Sequence, residues 1–376
     1  MKIVIDQNIR GADATFAQHG ELVAMDGRDI SREHLLDADL LIIRTTTKVN
    51  AELLEGTAVR FVGTTAIGTD HLDTSWLDQQ GIRWCNAPGC NADSAAQYTL
   101  AMIWLACERI GRRLDEQRVG IIGRGNVGSR LQKLLNTLGV ETVANDPPLA
   151  DEGIQGLVSQ AEALSCDIVS LHVPLTGDGP YPTLRMISEE QLARMPEGAL
   201  LVNAARGNVV DGASLLDAAK AGRVQAALDC WPNEPLLDPE LLDRTMVATP
   251  HVAGYSDDGK RNGTWMVYHA FCEWAGVEPA SDGDNARRGQ SLSIQNPENA
   301  LSEALEATCF VSVHDRAMRE LKELSSARIA HHFDQLRKDY PYRRDFQGWN
   351  VSCGDQQAAG VLNALGFRRI KTCLSR

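Results

Sequence analysis

The stretch that decides the fold is Val119-Gly120-Ile121-Ile122-Gly123-Arg124-Gly125-Asn126-Val127-Gly128. An apolar run ends at Ile122, and three glycines follow with the spacing Gly-x-Gly-x-x-Gly. Leucines at helical spacing come next and stop at Gly139, which predicts a helix with a glycine end. After another β-type run, Asp146 stands 18 residues past Gly128. Strand, glycine turn, helix, strand and acidic residue in this order predict a βαβ unit of a doubly wound sheet.

The same segment predicts a dinucleotide-binding site. Gly123 permits the tight turn, Gly125 lets a pyrophosphate approach the backbone, and Gly128 lets the helix pack closely on the strand. The glycine spacing alone is weak evidence, but the helix and the acid behind it strengthen the prediction. Asp146 would accept hydrogen bonds from the adenosine ribose, and its charge would repel a 2′-phosphate. We therefore predict NAD, rather than NADP, as the cofactor.

Apolar runs alternate with helical stretches along most of the chain. From residue 119 to 248 these runs are continuous, which is typical of strands buried on both faces of a parallel sheet. We predict an α/β protein with two doubly wound parallel-sheet domains, a flavodoxin-like substrate domain and a Rossmann domain, plus a small C-terminal α+β domain with a charged helix near Asp315–Ala330. The predicted boundaries are 1–92 completed by 255–280, then 93–254, and finally 281–376.

Composition excludes several classes of function. The chain has 376 residues and a net charge of −13, which argues against a protein that neutralises nucleic-acid phosphates. It has no apolar run long enough for a membrane span, so no membrane partner is expected. Nine cysteines show no Cys-x-x-Cys spacing, so we predict neither a metal site nor a disulfide framework, and a reducing cytoplasm as the location.

Three segments place a reactive side chain just after a predicted buried strand. They carry Arg206, Glu234 and His251, the last in Thr249-Pro250-His251. Ligands bind at the carboxyl ends of strands in open α/β sheets, so these side chains are expected to converge. Singly, each would suit a surface ion pair, a turn or a strand end, but together behind a dinucleotide fingerprint they predict catalysis.

These motifs, in this order, resemble the D-2-hydroxyacid dehydrogenases over residues 1 to about 275. The resemblance implies that Arg206 holds the substrate carboxylate, that His251 is the acid/base and that Glu234 hydrogen-bonds the histidine. The chemistry agrees, because oxidation of a hydroxy acid releases a proton and histidine has the side-chain pKa nearest to neutral. A guanidinium also suits a carboxylate, since it donates two parallel hydrogen bonds.

The resemblance extends to the remaining site residues. Val62 to Asp70 resembles the loop whose N–H groups bind the substrate carboxylate, although Ala66 stands where a hydroxyl residue often occurs. The expected cofactor contacts are Gly123, Gly125, Asn126, Val127, Gly128, Asp146, Val173, Ala204, Asp229 and Gly254. The expected substrate contacts are Ala66, Ile67 and Gly68 and, toward the far end of the substrate, Arg44, Thr45, Lys48 and Tyr255.

Finer features, above all the tail from Phe333 to Phe346, resemble one member of this family that oxidises a hydroxy acid with a phosphate at its far end. In that member the C-terminal unit serves dimerisation, so the resemblance implies a homodimer. The residues add a reason, because an apolar stripe among charges needs a covering surface. The stripe consists of Leu321, Leu324, Ile329, Phe333 and Leu336. Two other functions remain open for a chain with these motifs. One is that of a dehydrogenase of the phosphoglycerate or glyoxylate type, and the other is that of a non-catalytic NAD sensor.

Overall fold

The computed structural model describes residues 1–280 and 289–372. In chain order its strands are β1 (Lys2–Asp6), β2 (Glu21–Met25), β3 (Leu40–Ile43), β4 (Phe61–Thr64), β5 (Arg83–Cys85), β6 (Arg118–Ile122), β7 (Glu141–Asn145), β8 (Ile168–Leu171), β9 (Ala199–Asn203), β10 (Val224–Leu228), β11 (Val247–Ala248), β12 (Gln290–Ser293), β13 (Trp349–Cys353) and β14 (Arg368–Thr372).

The helices lie in the connections between these strands. They are α1 (Ala12–Thr15), α2 (Arg32–Leu35), α3 (Ala51–Leu54), α4 (Thr74–Gln79), α5 (Ala92–Ile110), α6 (Asn126–Thr137), α7 (Pro147–Asp151), α8 (Gln160–Leu164), α9 (Glu189–Arg194), α10 (Gly212–Lys220), α11 (Pro239–Arg244), α12 (Asp257–Ala275), α13 (Ala300–Cys309), α14 (Val311–Arg319), α15 (Ser326–Lys338) and α16 (Gln356–Ala364).

The first compact unit comprises Met1–Asn91 and the described residues from Ser256 onward to 280. Its five strands pair in parallel in the order β2-β1-β3-β4-β5, which is the flavodoxin-like order. On one face, Ile5 and Phe61 pack with Val267 and Phe271 of α12. A helix distant in sequence therefore completes the core of the first sheet.

The second unit begins at Ala92 with α5, whose largely apolar sequence is buried along most of its length. It contains a parallel six-stranded sheet in the order β11-β10-β9-β8-β6-β7. The usual Rossmann order has one more strand beside β7. Here the described residues form no strand at that position, and the chain contacts β7 there through a backbone hydrogen bond from Val158 N to Ala144 O at 2.8 Å. The two predicted parallel-sheet domains are thus confirmed.

The C-terminal residues from 289 onward belong to the second unit. Their three strands pair in parallel in the order β12-β13-β14, and helices connect each strand to the next. This connectivity is of the α/β type, so the predicted α+β class is wrong for this part. Its apolar side chains, such as Val351 and Leu362, share one core with α5 and β6. The separate third domain therefore stays a prediction.

The predicted helix near Asp315–Ala330 is two helices, α14 and α15, with a short 3₁₀ turn between them. The apolar stripe on this region is covered within the chain. Ile329 and Phe333 are fully buried against the core that contains Trp231 and Leu242 of the same unit. The stripe therefore needs no second copy, and it lends no support to the predicted homodimer.

Candidate active site

The second unit places its predicted site residues at the carboxyl ends of its sheet. The glycine turn follows β6, Asp146 follows β7, and Val173 follows β8. After the next strands come Ala204 with Arg206, then Asp229 with Glu234, and then His251 with Gly254. Parallel strands end at one edge, so the sheet gathers these residues as the sequence predicts.

Glu234 and His251 form a hydrogen-bonded ion pair between Oε1 and Nδ1. The second carboxylate oxygen of Glu234 accepts the backbone N–H of Trp231 at 2.9 Å, which fixes the orientation of the carboxylate. Trp231 itself is buried, and its indole N–H donates to Thr249 O at 2.8 Å. The pair is therefore held by residues that follow β10 and β11. Nε2 of His251 remains for a reacting group.

The pair shifts the pKa values of both members. Burial opposes protonation of His251, but the neighbouring Cys230 and Glu234 raise its pKa well above the usual value. Burial also raises the pKa of the Cys230 thiol, so this thiol stays neutral and Glu234 supplies the negative charge. Burial would raise the pKa of Glu234 too, yet its hydrogen bond and ion pair with His251 bring the pKa below its usual value.

Asp229 clamps the loop that carries His251. Its Oδ1 accepts the Thr249 hydroxyl at 2.6 Å and the Val252 N–H at 2.9 Å, and its Oδ2 accepts the Ala253 N–H at 2.9 Å. His251 has a φ of 54°, a left-handed conformation that non-glycine residues rarely adopt. Such strain persists only where neighbouring bonds hold it, and Asp229 supplies those bonds.

Arg206 stands exposed on a turn that its neighbours hold in place. The Asn203 side chain donates to Arg206 O at 3.0 Å and accepts the Ala205 N–H at 3.1 Å. A Cβ on Gly207 would lie 1.8 Å from Trp231 O, so only glycine fits there. The sequence interpretation did not single out Asn203 or Trp231, although they stand three residues before Arg206 and Glu234 respectively.

The glycine turn fits a bound dinucleotide. A Cβ on Gly123 would lie 2.7 Å from the carbonyl carbon of His172, and a Cβ on Gly128 would lie 2.0 Å from Gly123 O. Around Gly125, in contrast, there is open space. Helix α6 begins at Asn126 and has no side-chain cap, so its first N–H groups are available to phosphate oxygens.

Asp146 has two partners that the sequence did not predict. Its Oδ2 accepts the backbone N–H of Arg124 at 2.7 Å, and its Oδ1 caps α7 at the N–H of Leu149 at 3.2 Å. A carboxylate has about four acceptor positions, so ribose hydroxyls can still bind it. The residue thus shapes the glycine turn as well as facing the predicted cofactor site.

The first unit carries the other predicted substrate residues at the ends of β3 and β4. Thr45, Lys48 and Ile67 are exposed, and Ala66 and Gly68 are partly buried. Arg44 differs from the prediction, because its Nε and Nη2 donate to the buried Asp6 at 2.9 and 3.1 Å. Two of its five N–H donors are therefore used within the fold, and Nη1 remains for a ligand.

Tyr255 lies in the second unit, four residues after His251. Its hydroxyl accepts a hydrogen bond from Arg337 Nη2 of α15 at 3.2 Å. No local sequence signal pointed to Arg337, because it lies 82 residues away from Tyr255 along the chain.

Comparison with known proteins agrees with this geometry. Residues 91–253 match the family described as D-isomer specific 2-hydroxyacid dehydrogenase, NAD binding domain, and residues 288–366 match a domain of unknown function, DUF3410. The erythronate-4-phosphate dehydrogenase of Yersinia enterocolitica is 42% identical, over 98% of this chain and 99% of the relative. That of Proteus mirabilis is 40% identical, with the same coverage.

The chain belongs to the erythronate-4-phosphate dehydrogenase family. It is thus a member of the D-2-hydroxyacid dehydrogenases, and its cofactor is NAD.

Solved structures show the same fold. The NAD⁺-bound 3-phosphoglycerate dehydrogenase of Entamoeba histolytica is 24% identical with a TM-score of 0.63, and it covers 73% of this chain and 95% of its own. The D-lactate dehydrogenase of Aquifex aeolicus, solved with NAD and lactic acid, is 25% identical with a TM-score of 0.58, covering 73% and 96%.

The described residues lack two features that would point to other functions. Within residues 1–280 and 289–372, no group of three or more His, Cys, Asp or Glu side chains is placed to hold a metal ion. In the same part of the chain, no helix combines the length and the apolar character that crossing a membrane requires.

Proposed function

We propose that this chain oxidises 4-phospho-D-erythronate at C2 to (R)-3-hydroxy-2-oxo-4-phosphooxybutanoate, a step of pyridoxine 5′-phosphate biosynthesis. The observation that carries the proposal is the Glu234–His251 pair, at the same sheet edge as the NAD-binding turn, in a chain about 40% identical to erythronate-4-phosphate dehydrogenases over nearly its full length. The substrate is thus a small phosphorylated hydroxy acid, and no nucleic acid or membrane takes part.

Each catalytic residue has a separate task. Arg206 binds the substrate carboxylate through two parallel hydrogen bonds and polarises the C2 oxygen. His251 takes the hydroxyl proton at Nε2, because Nδ1 is bound to Glu234. Glu234 stabilises the imidazolium that forms. NAD, when bound, accepts the hydride from C2, so the two electrons and the proton are both accounted for.

The cofactor contacts are proposed in two groups. The N–H groups of Asn126, Val127 and Gly128 would bind the pyrophosphate, and Asp146 the ribose. The residues proposed around the nicotinamide half are Val173, Ala204, Asp229 and Gly254. The Asp229 carboxylate already accepts three hydrogen bonds, so its contribution there is chiefly to hold the loop of His251.

The substrate contacts in the first unit are proposed from its two strand ends. Ala66, Ile67 and Gly68 would offer backbone N–H groups to the carboxylate. Thr45, Lys48 and the remaining nitrogen of Arg44 would serve the phosphate end, and Tyr255 is likewise proposed as a substrate contact.

The test is turnover by the purified chain. We expect NADH formation with 4-phospho-D-erythronate and NAD, with a 2-oxo acid added in parallel to reoxidise any NADH that stays bound. Parallel assays with 3-phosphoglycerate and with glycolate, the 2-hydroxy acid that corresponds to glyoxylate, test the two related types of dehydrogenase. Absence of turnover on every 2-hydroxy acid, with NAD still bound, would favour the sensor, although the complete set of Arg206, Glu234 and His251 speaks against it.

We further propose that the protein is a homodimer in the cytoplasm. The domain boundaries are those given in the sequence analysis, and residues 281–376 form the dimerisation domain. The support is the resemblance of that region to the C-terminal unit of the family. The eight cysteines within the described residues are all free thiols, which suits a reducing compartment.

A further inference from the structure

The helix α15 of the C-terminal region reaches the loop that carries the catalytic histidine. Besides its hydrogen bond to the Tyr255 hydroxyl, the Arg337 guanidinium lies 5.9 Å from the ring centre of Tyr255 and 5.9 Å from that of Phe333. The two aromatic rings thus hold the cation in place, and all three residues belong to the second unit.

The donor capacity of Arg337 is largely unused. A guanidinium has five N–H donors. Among the described residues, its single hydrogen bond is the one to Tyr255, and its Nε is buried without a partner. Asp334 Oδ1 lies 3.7 Å from Nη1, beyond hydrogen-bonding distance. Because buried donors without acceptors are costly, this arrangement suits an anionic ligand that supplies the missing acceptors.

Arg337 also acts electrostatically on the Glu234–His251 pair. Its positive charge is one of the contributions that lower the pKa of the Glu234 carboxyl. Burial disfavours the charged guanidinium, yet Tyr255 and Glu234 outweigh it and raise the pKa of Arg337, so the residue stays cationic. About 31% of its side chain is exposed, which leaves a small ligand access to it.

A second arginine fixes the segment after α15 to the same loop. Arg343 is buried, and its Nη2 donates to Ala253 O at 2.9 Å and to Ser94 O at 2.8 Å. Ala253 is also held by Asp229, so the C-terminal segment is tied to the clamp that positions His251. The place of Arg337 relative to the catalytic loop is therefore set by the fold.

We propose that Arg337, together with the Tyr255 hydroxyl, binds the phosphate of the substrate, so that the C-terminal helix supplies a specificity-determining residue to the active site of its own chain. This inference rests on the proposed function. The chemistry matches, since a phosphate offers three acceptor oxygens and a guanidinium binds two of them at once.

The test compares Arg337→Gln with wild type on two substrates. We expect KM for 4-phospho-D-erythronate to rise on the order of 10- to 100-fold, as for loss of charge-assisted hydrogen bonds. The kcat/KM for unphosphorylated erythronate should change less than about twofold. Arg337→Lys keeps the charge and much of the packing, so its KM for 4-phospho-D-erythronate should lie between those of wild type and Arg337→Gln. Arg328→Gln, which alters an exposed arginine of the same helix, is the matched control and should resemble wild type.

Inorganic phosphate provides a readout that needs no turnover. Phosphate should raise the melting temperature of wild type and of Arg328→Gln, and this shift should shrink strongly in Arg337→Gln. Equal KM increases for both substrates, with the phosphate shift retained, would show that Arg337 only holds α15 and would overturn the inference. If wild type fails to oxidise the phosphorylated substrate, the proposed function falls, while the phosphate shifts still decide the role of Arg337.

Discussion

The carboxylate of Asp146 accepts the backbone N–H of Arg124 at 2.7 Å, so the acid expected to bind the ribose also braces the glycine turn that binds the pyrophosphate. The two halves of the cofactor site are therefore coupled through one side chain.

Substitution of Asp146 should affect both halves. We expect Asp146→Ala to weaken NAD binding and to narrow the gap between NAD and NADP, because the negative charge facing the ribose is lost. Asp146→Asn keeps one acceptor oxygen for the turn, so it should lose less affinity for NAD while changing the preference in the same direction. Fluorescence titration with both cofactors checks this, and unchanged or tighter NAD binding by Asp146→Ala would count against the assignment.

The catalytic pair predicts a loss of rate and a shift in pH dependence. His251→Ala should lower kcat on the order of 10²–10⁴-fold, as for removal of a general base. Oxidation requires neutral His251, so kcat/KM should rise with pH through its raised pKa. Glu234→Gln removes the charge that raises this pKa, and the rise should move to lower pH. A profile that stays in place in Glu234→Gln would contradict the proposed role of the glutamate.

Arg44 and Lys48 should behave differently although they lie close together in sequence. Arg44→Ala leaves the buried Asp6 without its cation, so we expect a loss of roughly 1–3 kcal/mol of unfolding free energy. Because its Nη1 is also proposed for the phosphate, KM should rise more for the phosphorylated than for the unphosphorylated substrate. Lys48→Ala should leave stability unchanged and raise KM for the phosphorylated substrate alone. Urea unfolding and steady-state kinetics measure both effects. An unchanged KM for the phosphorylated substrate in Arg44→Ala would show that Arg44 serves only the fold.

Buried His314 should make the protein less stable in mild acid. Burial lowers its pKa from 6.5 to about 4, while its Nδ1 hydrogen-bonds the Tyr98 hydroxyl. Between these values the unfolded chain binds a proton that the folded chain does not, so stability from this group is complete above pH 6.5 and falls as the pH drops toward 4. The loss should reach about 2–3 kcal/mol. Urea unfolding at pH 7 and pH 5 checks this. Between these pH values the free energy of unfolding should fall less in His314→Gln than in wild type, whereas His331→Gln, at an exposed position, should fall as much as wild type.

Removal of the C-terminal region should expose the core of the second unit. Ile329 and Phe333 are fully buried against it, so a chain ending near residue 285 should aggregate or unfold at lower temperature. Assembly is better tested on the full chain, by sedimentation, with a mass of twice 41.0 kDa expected for the homodimer. A 41.0 kDa species at micromolar concentration would refute the proposed dimer.

Local signals predicted most of the sheets and the strand-end positions of the proposed catalytic residues. Continuous apolar runs mark strands such as β8 and β9 because both faces are buried, and the glycine spacing marks the cofactor turn because no other residue fits at Gly123 and Gly128. What the sequence could not predict are contacts between distant residues, such as Arg337 with Tyr255. The stripe around Phe333 was identified, but nothing in its periodicity tells which surface covers it.

The helix α12 has a consequence for synthesis on the ribosome. Val267, Tyr268 and Phe271 cover one face of the first sheet, yet they follow Asn91 by more than 170 residues. At about 5–20 residues per second, that face stays bare for on the order of 10–30 s after its strands emerge. The nascent chain therefore exposes an apolar sheet face while the second unit is still being synthesised. It should depend on a chaperone at that stage more than a chain whose first domain is continuous in sequence.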